Sequence, residues 1–508
     1  MLAKVLTSAV VGIDAFVVEV EVDISWGLPA FTTVGLPEIS VKESKERVKA
    51  AIANSGYGFP DDRITVNLAP ANVKKVGTGF DLPIAMGILS ATGIVPENEA
   101  GRFLMMGELS LDGRVKPVNG SLSMAIAAKA SGHASILVPY ENRREASVVR
   151  GISVVGVKTL VDAVDHVRGV SEIAPEQFDL LESFPDLGRI EFDFSEVAGQ
   201  EHVKRAMEVA AAGGHNLLMI GSPGSGKTMM AKRFSGIVPA MTFEESIETT
   251  KIFSVAGLLE KDQALVTQRP FRSPHHTISD AGMIGGGNIP RPGEVSLAHN
   301  GVLFLDELAE FKRPVLEGLR QPLEDRQVTI SRAATSITYP SGFIMISAMN
   351  PCPCGYASDP KHACKCSHHQ IQQYRNKISG PLLDRIDIHV EVPPVAYRDL
   401  RNASVSESSV VIRERVTAAR HRQTLRFAGE KIRTNAQMQN RHIKKYCAID
   451  DASARLLEAA VEKFGLSARA YNRVLKIART IADLAGEAGI SPEHIAEAVQ
   501  YRSLDRNK

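Results

Sequence analysis

Eight consecutive residues, Gly221-Ser222-Pro223-Gly224-Ser225-Gly226-Lys227-Thr228, satisfy the pattern G-x-x-x-x-G-K-[ST]. The glycines let backbone N–H groups curl around a β-phosphate, and the N-terminus of a following helix adds favourable partial charge. In that arrangement Lys227 reaches the β- and γ-phosphates of a nucleotide, and the Thr228 hydroxyl ligates Mg2+. A second chemical pair, Asp306-Glu307, directly follows the apolar run Val302-Leu303-Phe304-Leu305. At the carboxyl end of a buried strand, Asp306 is suited to hold Mg2+, directly or through water. Glu307 beside it is suited to orient and deprotonate an attacking water. Asn350, which closes the run Phe343–Ile346 and Ser347-Ala348-Met349, offers an amide to both a γ-phosphate and that water.

A different chemistry sits just beyond Asn350. Four of the five cysteines form two C-x-C pairs, Cys352-Pro353-Cys354 and Cys364-Lys365-Cys366, with nine residues between them. Four thiolates from one short loop suit tetrahedral Zn2+, although the one-residue spacing within each pair is tighter than usual. His362, His368 and His369 are close enough to replace a ligand, and loosely placed reduced thiols are the alternative. Such a metal would be structural, because no open coordination position is suggested, and it would brace the strand that carries Asn350. Cys447 stands alone and reads as a packed thiol.

These residues need elements to position them. The phosphate loop follows the apolar run Leu217-Leu218-Met219-Ile220 and precedes Met229-Met230-Ala231-Lys232-Arg233-Phe234, which reads as a helix. Three apolar runs, Asn216–Ile220, Val302–Leu305 and Phe343–Ile346, are separated by helical stretches, as buried parallel strands are. Residues 1–171 alternate β-rich runs (Val18 to Ile24, Ile64 to Leu68, Ile136 to Val138) with helical ones (Val41 to Ala53, Asp81 to Leu89). Residues 172–191 carry Pro175, Glu176, Pro185 and Asp186 and read as a linker. The segment 192–395 carries the phosphate chemistry and the Cys loop 352–366, and 396–508 reads as helical and basic.

The chain of 508 residues is 44% hydrophobic and 23% charged, an ordinary mix for a protein with ample core material. Five cysteines do not make a secreted disulfide framework and suit a reducing, cytoplasmic setting. No run approaches the roughly 18 apolar residues of a membrane span, and Asp14 interrupts the apolar opening that imitates a signal peptide. A net charge of +1 excludes any argument for a polyanion partner from the whole chain. Local charge differs: residues 401–445 hold eleven Lys/Arg against Glu407, Glu414 and Glu430. That concentration suits DNA, or else a solvated helix that contacts nucleotide or a neighbouring subunit. The stretch lacks interleaved aromatics, so base stacking is not indicated.

The stretches GSPGSGKT, GVLFLDELAEF, ISAMNPCPCG, GPLLDRIDIHVEV and LSARAYNRVLKIARTIADL together resemble the ComM/YifB group of magnesium-chelatase-like AAA+ ATPases, over essentially the whole chain. The resemblance implies an α/β fold: a P-loop AAA+ core, with a parallel sheet and helices on both faces, and a C-terminal helical lid. It implies that Asn350 is the sensor-1 residue and that Arg385 is an arginine finger supplied to a neighbouring subunit. It makes Arg469 the sensor-2 residue of the lid, with Arg473 one helical turn on as a substitute. It further implies a homo-oligomeric, hexameric ring, since a finger acting in trans needs a head-to-tail interface that closes. The activity implied is an ATP-driven, branch-migration-type DNA helicase. The alternative is a chelatase-like or protein-remodelling ATPase with a protein partner.

In related ATPases, insertions project into the ring pore and grip the polymer. The long stretch between Thr228 and Asp306, and the hairpin-like Glu324 to Tyr339, therefore make Arg272, Arg291 and Arg332 candidate DNA-phosphate contacts. The N-terminal segment resembles the Lon-protease-like α+β domain, a fold shared with a ribosomal protein, through Lys75–Asp81 and Gly107–Val118. That likeness puts Gly79 at the nucleophile's position and Leu122 at the lysine's, and neither side chain can do the chemistry. Thr78 and Ser121 stand one residue away and are the only means to a shifted dyad. The domain is expected to be non-catalytic.

Overall fold

The computed structural model describes residues 1–179, 192–287, 290–332, 335–357, 359, 361–394 and 406–502. Most of the expected linker 172–191, and the 395/396 boundary, lie outside them. The fold is mixed α/β and divides into two compact units. They do not follow chain order: Met1–Pro185 and Thr242–Thr267 make the first, Asp186–Met241 and Gln268–Lys508 the second.

The first unit is built on a seven-stranded sheet. Leu2–Val11 and Asp14–Ser25 pair as a long antiparallel hairpin, with Val5 opposite Val20. Val18, Val20, Val22 and Ile24 point into one core while Glu19, Glu21 and Asp23 alternate to the other face, where a second apolar cluster that includes Leu104, Ile136 and Leu122 covers the rest of the sheet. The expected strand around Ile64 spans Arg63–Ala69 and the one around Leu137 spans Ser135–Pro139. The helix Asp81–Ala91 is buried along its whole length.

The helix Phe243–Ala256 belongs to this unit, although its position between Thr228 and Asp306 assigned it to the ATP-binding segment. Buried polar groups explain the attachment. Ser254 Oγ accepts from the Gly120 N–H at 2.9 Å and donates to the carboxylate of Glu145. Glu145 is thereby satisfied on several sides, as a buried carboxylate must be.

The second unit carries a five-stranded, wholly parallel sheet. Across it the order is Phe271–Arg272, Val302–Leu305, Ile344–Met349, Leu217–Ile220 and Ile388–Glu391. Val302–Leu305, Leu217–Ile220 and Ile344–Met349 are buried on both faces, which is why they read as continuous apolar runs. The two edge strands escaped that signal: Phe271–Arg272 has only two residues, and His389 and the exposed Glu391 interrupt the apolar run of Ile388–Glu391. The expected hairpin is present: Gln327–Arg332 pairs with Thr335–Pro340, and Thr329 faces Thr338. Helices including Ser409–Arg426, Asp451–Phe464 and Ala468–Ala485 complete the unit and share one hydrophobic core with the sheet. Among the described residues no helix is long and apolar enough to cross a membrane.

Candidate nucleotide site

Three loops leave the carboxyl ends of three adjacent strands and meet. The phosphate loop leaves Leu217–Ile220, Asn350 leaves Ile344–Met349, and Asp306-Glu307 leave Val302–Leu305. Parallel strands share their carboxyl ends on one side of a sheet, so the topology alone brings these residues together. Gly226 holds φ +92 immediately before the helix Lys227–Ile237, a left-handed turn that favours glycine. Pro223 and Gly224 are exposed at the rim of the loop.

Lys227 folds back over the loop, its Nζ donating to Gly221 O at 2.8 Å, Ser222 O at 3.0 Å and Asn350 Oδ1 at 3.4 Å. Burial holds its ammonium below the usual value, offset in part by Asp306. The hydroxyl of Thr228 donates to Asp306 Oδ2 at 2.7 Å, and Asp306 Oδ1 accepts from the Glu307 N–H at 2.9 Å. Hard oxygen donors from Thr228 and Asp306 suit Mg2+, so the residues present fit that ion. Glu307 stands exposed in the left-handed region at φ +53.

Two residues of this site were not singled out in the sequence. His276 Nδ1 lies 3.1 Å from Glu307 Oε2. It follows the edge strand Phe271–Arg272, and only the expectation of a pore loop there drew attention to its surroundings. Tyr374, in the helix His368–Arg375, accepts a hydrogen bond from the Asn350 backbone, and burial pushes its hydroxyl up to about 12. No sequence pattern marks it, because its role comes from a distant helix.

Arg385 and Arg469 lie elsewhere. Asn216, at the amino end of the phosphate-loop strand, donates to Arg385 O at 3.0 Å. Arg385 is thus at the opposite ends of the strands from Lys227. It pairs with Glu324 and donates to Pro381 O at 2.7 Å. Arg385 and Arg469 line one cavity of about 680 Å3 with Arg326, Arg473 and Lys476. Burial pushes Arg326 down to about 10 and Lys476 down to about 8. Arg473 is instead committed to Asp387, a carboxylate that also meets His215 Nδ1 at 3.2 Å.

The four expected cysteines do converge. Their Sγ atoms lie within 4.8 Å of one another, a group able to hold a zinc ion, while Cys447 is buried apart from them.

Several candidate DNA contacts are otherwise engaged. Arg272 forms a two-pronged ion pair with Glu294 at 2.6 and 2.7 Å, because Phe271–Arg272 is the sheet's edge strand rather than a projecting loop. Arg291 and Arg332 are exposed. In the basic stretch, Arg415 pairs with Glu208 and Glu407, Arg420 binds Ala211 O, Arg422 binds Asp483 O and Arg426 pairs with Asp483. Those cations hold the helix Ser409–Arg426 to its neighbours, and Arg401 lies outside the described residues. In the first unit, Ser121 is fully buried and donates to Glu145 Oε2 at 2.5 Å, and Thr78 donates to Glu108. Leu122 is buried in the core.

The magnesium chelatase subunit ChlI family matches residues 193–400, a second ChlI model matches 20–142, and the ChlI C-terminal model matches 406–502. Competence protein ComM of Haemophilus influenzae is 43% identical over 99% of this chain and 98% of its own length. The chain belongs to the ComM/YifB family of magnesium-chelatase-like proteins. Among ComM/YifB members, YifB of Salmonella typhimurium is 44% identical over the same shares of both chains. Lon protease 2 of Bacillus subtilis is similar to a quarter of the chain, 32% identical over 127 residues and covering 22% of its own length.

Proposed function

We propose that this protein binds ATP with Mg2+ and hydrolyses it as an AAA+ motor, in a ring whose neighbouring subunits complete each other's sites. The observation that carries this reading is the separation of Lys227, Asp306, Glu307 and Asn350 from Arg385 and Arg469 at opposite ends of one sheet. A head-to-tail neighbour would bring the second group to the first, and only a closed ring lets every site be completed.

Within a site, the phosphate-loop amides and Lys227 bind the β- and γ-phosphates. Thr228 and Asp306 would hold Mg2+, which when bound neutralises charge on the phosphate oxygens. Glu307 orients and deprotonates the attacking water, with His276 fixing its carboxylate beforehand. Asn350 positions the γ-phosphate. Arg385 and Arg469 stabilise charge spread over the transferring phosphoryl group.

Kinship with a competence protein supports DNA as the polymer moved, by a branch-migration-type helicase action. The exposed Arg291 and Arg332 are then the contacts of choice. The engagement of Arg272, Arg415, Arg420, Arg422 and Arg426 within the unit favours a second reading, a chelatase-like or protein-remodelling ATPase. The deciding measurement is the ATPase rate with and without single-stranded and branched DNA at two salt concentrations. Stimulation by DNA that falls with salt supports the motor, and stimulation by a protein but not by DNA supports the second reading. A chain that stays monomeric with saturating Mg·ATP and shows no turnover overturns both.

A further inference from the structure

The four-cysteine loop does more than place sulfurs together. Cys352 and Cys354 hold their Sγ atoms 3.4 Å apart, Cys352 and Cys364 3.7 Å, and Cys354 and Cys364 3.6 Å. A disulfide needs about 2.05 Å, so these thiols are not bonded. Four thiolates bound tetrahedrally at about 2.3 Å from Zn2+ stand about 3.8 Å from one another. The three spacings among Cys352, Cys354 and Cys364 lie just below that edge length, and Cys366 lies within 4.8 Å of the others. Backbone amides turn toward the sulfurs as they do around metal thiolates. The Cys366 N–H donates to Cys364 Sγ at 3.4 Å, and the Tyr356 and Lys365 N–H groups donate to Cys354 Sγ. Such donors orient ligands.

On its other side the same loop rests on the phosphate loop. Gly355 holds φ +87, and a Cβ there would stand 2.7 and 2.8 Å from Pro223 Cδ and Cγ. Only glycine allows that approach. Asp359 accepts a hydrogen bond from the Ser222 hydroxyl. The Asp359 carboxylate is itself fixed by the N–H groups of Lys361 and His362, at 2.8 and 3.1 Å. Ser222 and Pro223 are therefore gripped by residues that lie between the two pairs of cysteines.

We propose that Zn2+, held by Cys352, Cys354, Cys364 and Cys366, fixes this loop and through Gly355 and Asp359 holds the phosphate loop in its nucleotide-accepting shape, so that nucleotide affinity depends on zinc occupancy. The proposal rests on the nucleotide reading for its second half, and its metal half stands alone.

The test uses the full chain. Elemental analysis of protein purified without added metal should find one zinc per chain, and Cys364→Ser should lose it. Binding of a fluorescent ATP analogue should weaken by about tenfold or more in that variant, as expected when a binding loop is displaced by about an ångström. Because Cys364→Ser could unfold the loop's surroundings, Gly355→Ala is the companion variant. It replaces no ligand, although its N–H donates to Cys352 O, so it should keep its zinc and lose nucleotide affinity to a similar degree. Wild-type protein that holds no zinc and takes none up on titration overturns the site. Zinc-free Cys364→Ser, or zinc-loaded Gly355→Ala, with wild-type nucleotide affinity overturns the brace. Wild-type protein that carries zinc but binds no nucleotide leaves the metal site standing and fails the ATPase reading instead.

Discussion

The Thr228 hydroxyl donates to Asp306 Oδ2 at 2.7 Å, although their two strands are not neighbours. Ile344–Met349 runs between them, so the contact passes over its carboxyl end, where Asn350 emerges. Three loops are thereby tied at one point, and exchange of any member has a distinct consequence. Lys227→Ala should weaken nucleotide binding directly. Glu307→Gln removes no phosphate contact, so it should keep ATP bound while turnover falls by about a hundredfold or more, the usual worth of a positioned base. Nucleotide binding and steady-state hydrolysis measured on both variants separate the roles. Normal turnover by Glu307→Gln refutes the assignment of water activation to that residue.

His276 offers a finer test of the same carboxylate. Its ring sits 3.1 Å from Glu307 Oε2. Replacing it with Ala should leave nucleotide affinity close to wild type and change kcat, by about tenfold at most, since positioning rather than proton transfer is removed. A change confined to KM would show that His276 acts on binding instead.

Arg385 and Arg469 share a cavity at the amino ends of the strands, away from the Lys227 of the same chain. Arg385→Ala subunits should therefore bind nucleotide normally yet disable a neighbour. Loss of a trans arginine costs about a thousandfold or more at the affected site. In titrations of variant into wild-type protein, activity should fall more steeply than the wild-type fraction. A linear decline would mean that each chain uses its own arginine.

The candidate nucleotide site was legible in the sequence because its parts are local: a glycine-rich loop, an apolar strand ending in acids, and an amide after another strand. The helices and strands flanking them follow from periodicity for the same reason. Four cysteines in fifteen residues also signalled their own convergence. What escaped depends on distant partners. Phe271–Arg272 is too short to show a period, so Arg272 read as a free cation until its strand and Glu294 were seen together. The excess charge of 401–445 is real, yet Glu208 and Asp483, far along the chain, pair with Arg415 and Arg426, and backbone carbonyls hold Arg420 and Arg422. The attachment of Phe243–Ala256 to the first unit likewise depends on Glu145, which no spacing rule connects to Ser254.

The first unit's shifted dyad can be tested without reference to its partner. Ser121 is fully buried, and the group at its hydroxyl is the Glu145 carboxylate rather than a lysine, whose position holds Leu122. Ser121→Ala should lower stability by about 1–3 kcal/mol, because it leaves a buried carboxylate short of a donor. It should alter no proteolytic activity, because the wild type is expected to have none. Thermal unfolding and a casein-type cleavage assay on both proteins check the two halves.

His215 predicts a pH dependence. It is fully buried, with Nε2 at 2.8 Å from Thr480 Oγ1 and Nδ1 facing Asp387. Burial holds its pKa below the ordinary value, more strongly than Asp387 raises it, with Lys476 and Arg420 acting in the same direction as burial. The unfolded chain, with a histidine near about 6.5, then binds more protons than the folded one as pH falls below that value. Stability must accordingly rise with pH through the window beneath about 6.5 and level off above it. His215→Gln, which keeps hydrogen-bonding capacity without titrating, should flatten that part of the curve. Melting temperatures of both proteins between about pH 5 and 7.5 give the comparison, and equal slopes would place the proton uptake on another group.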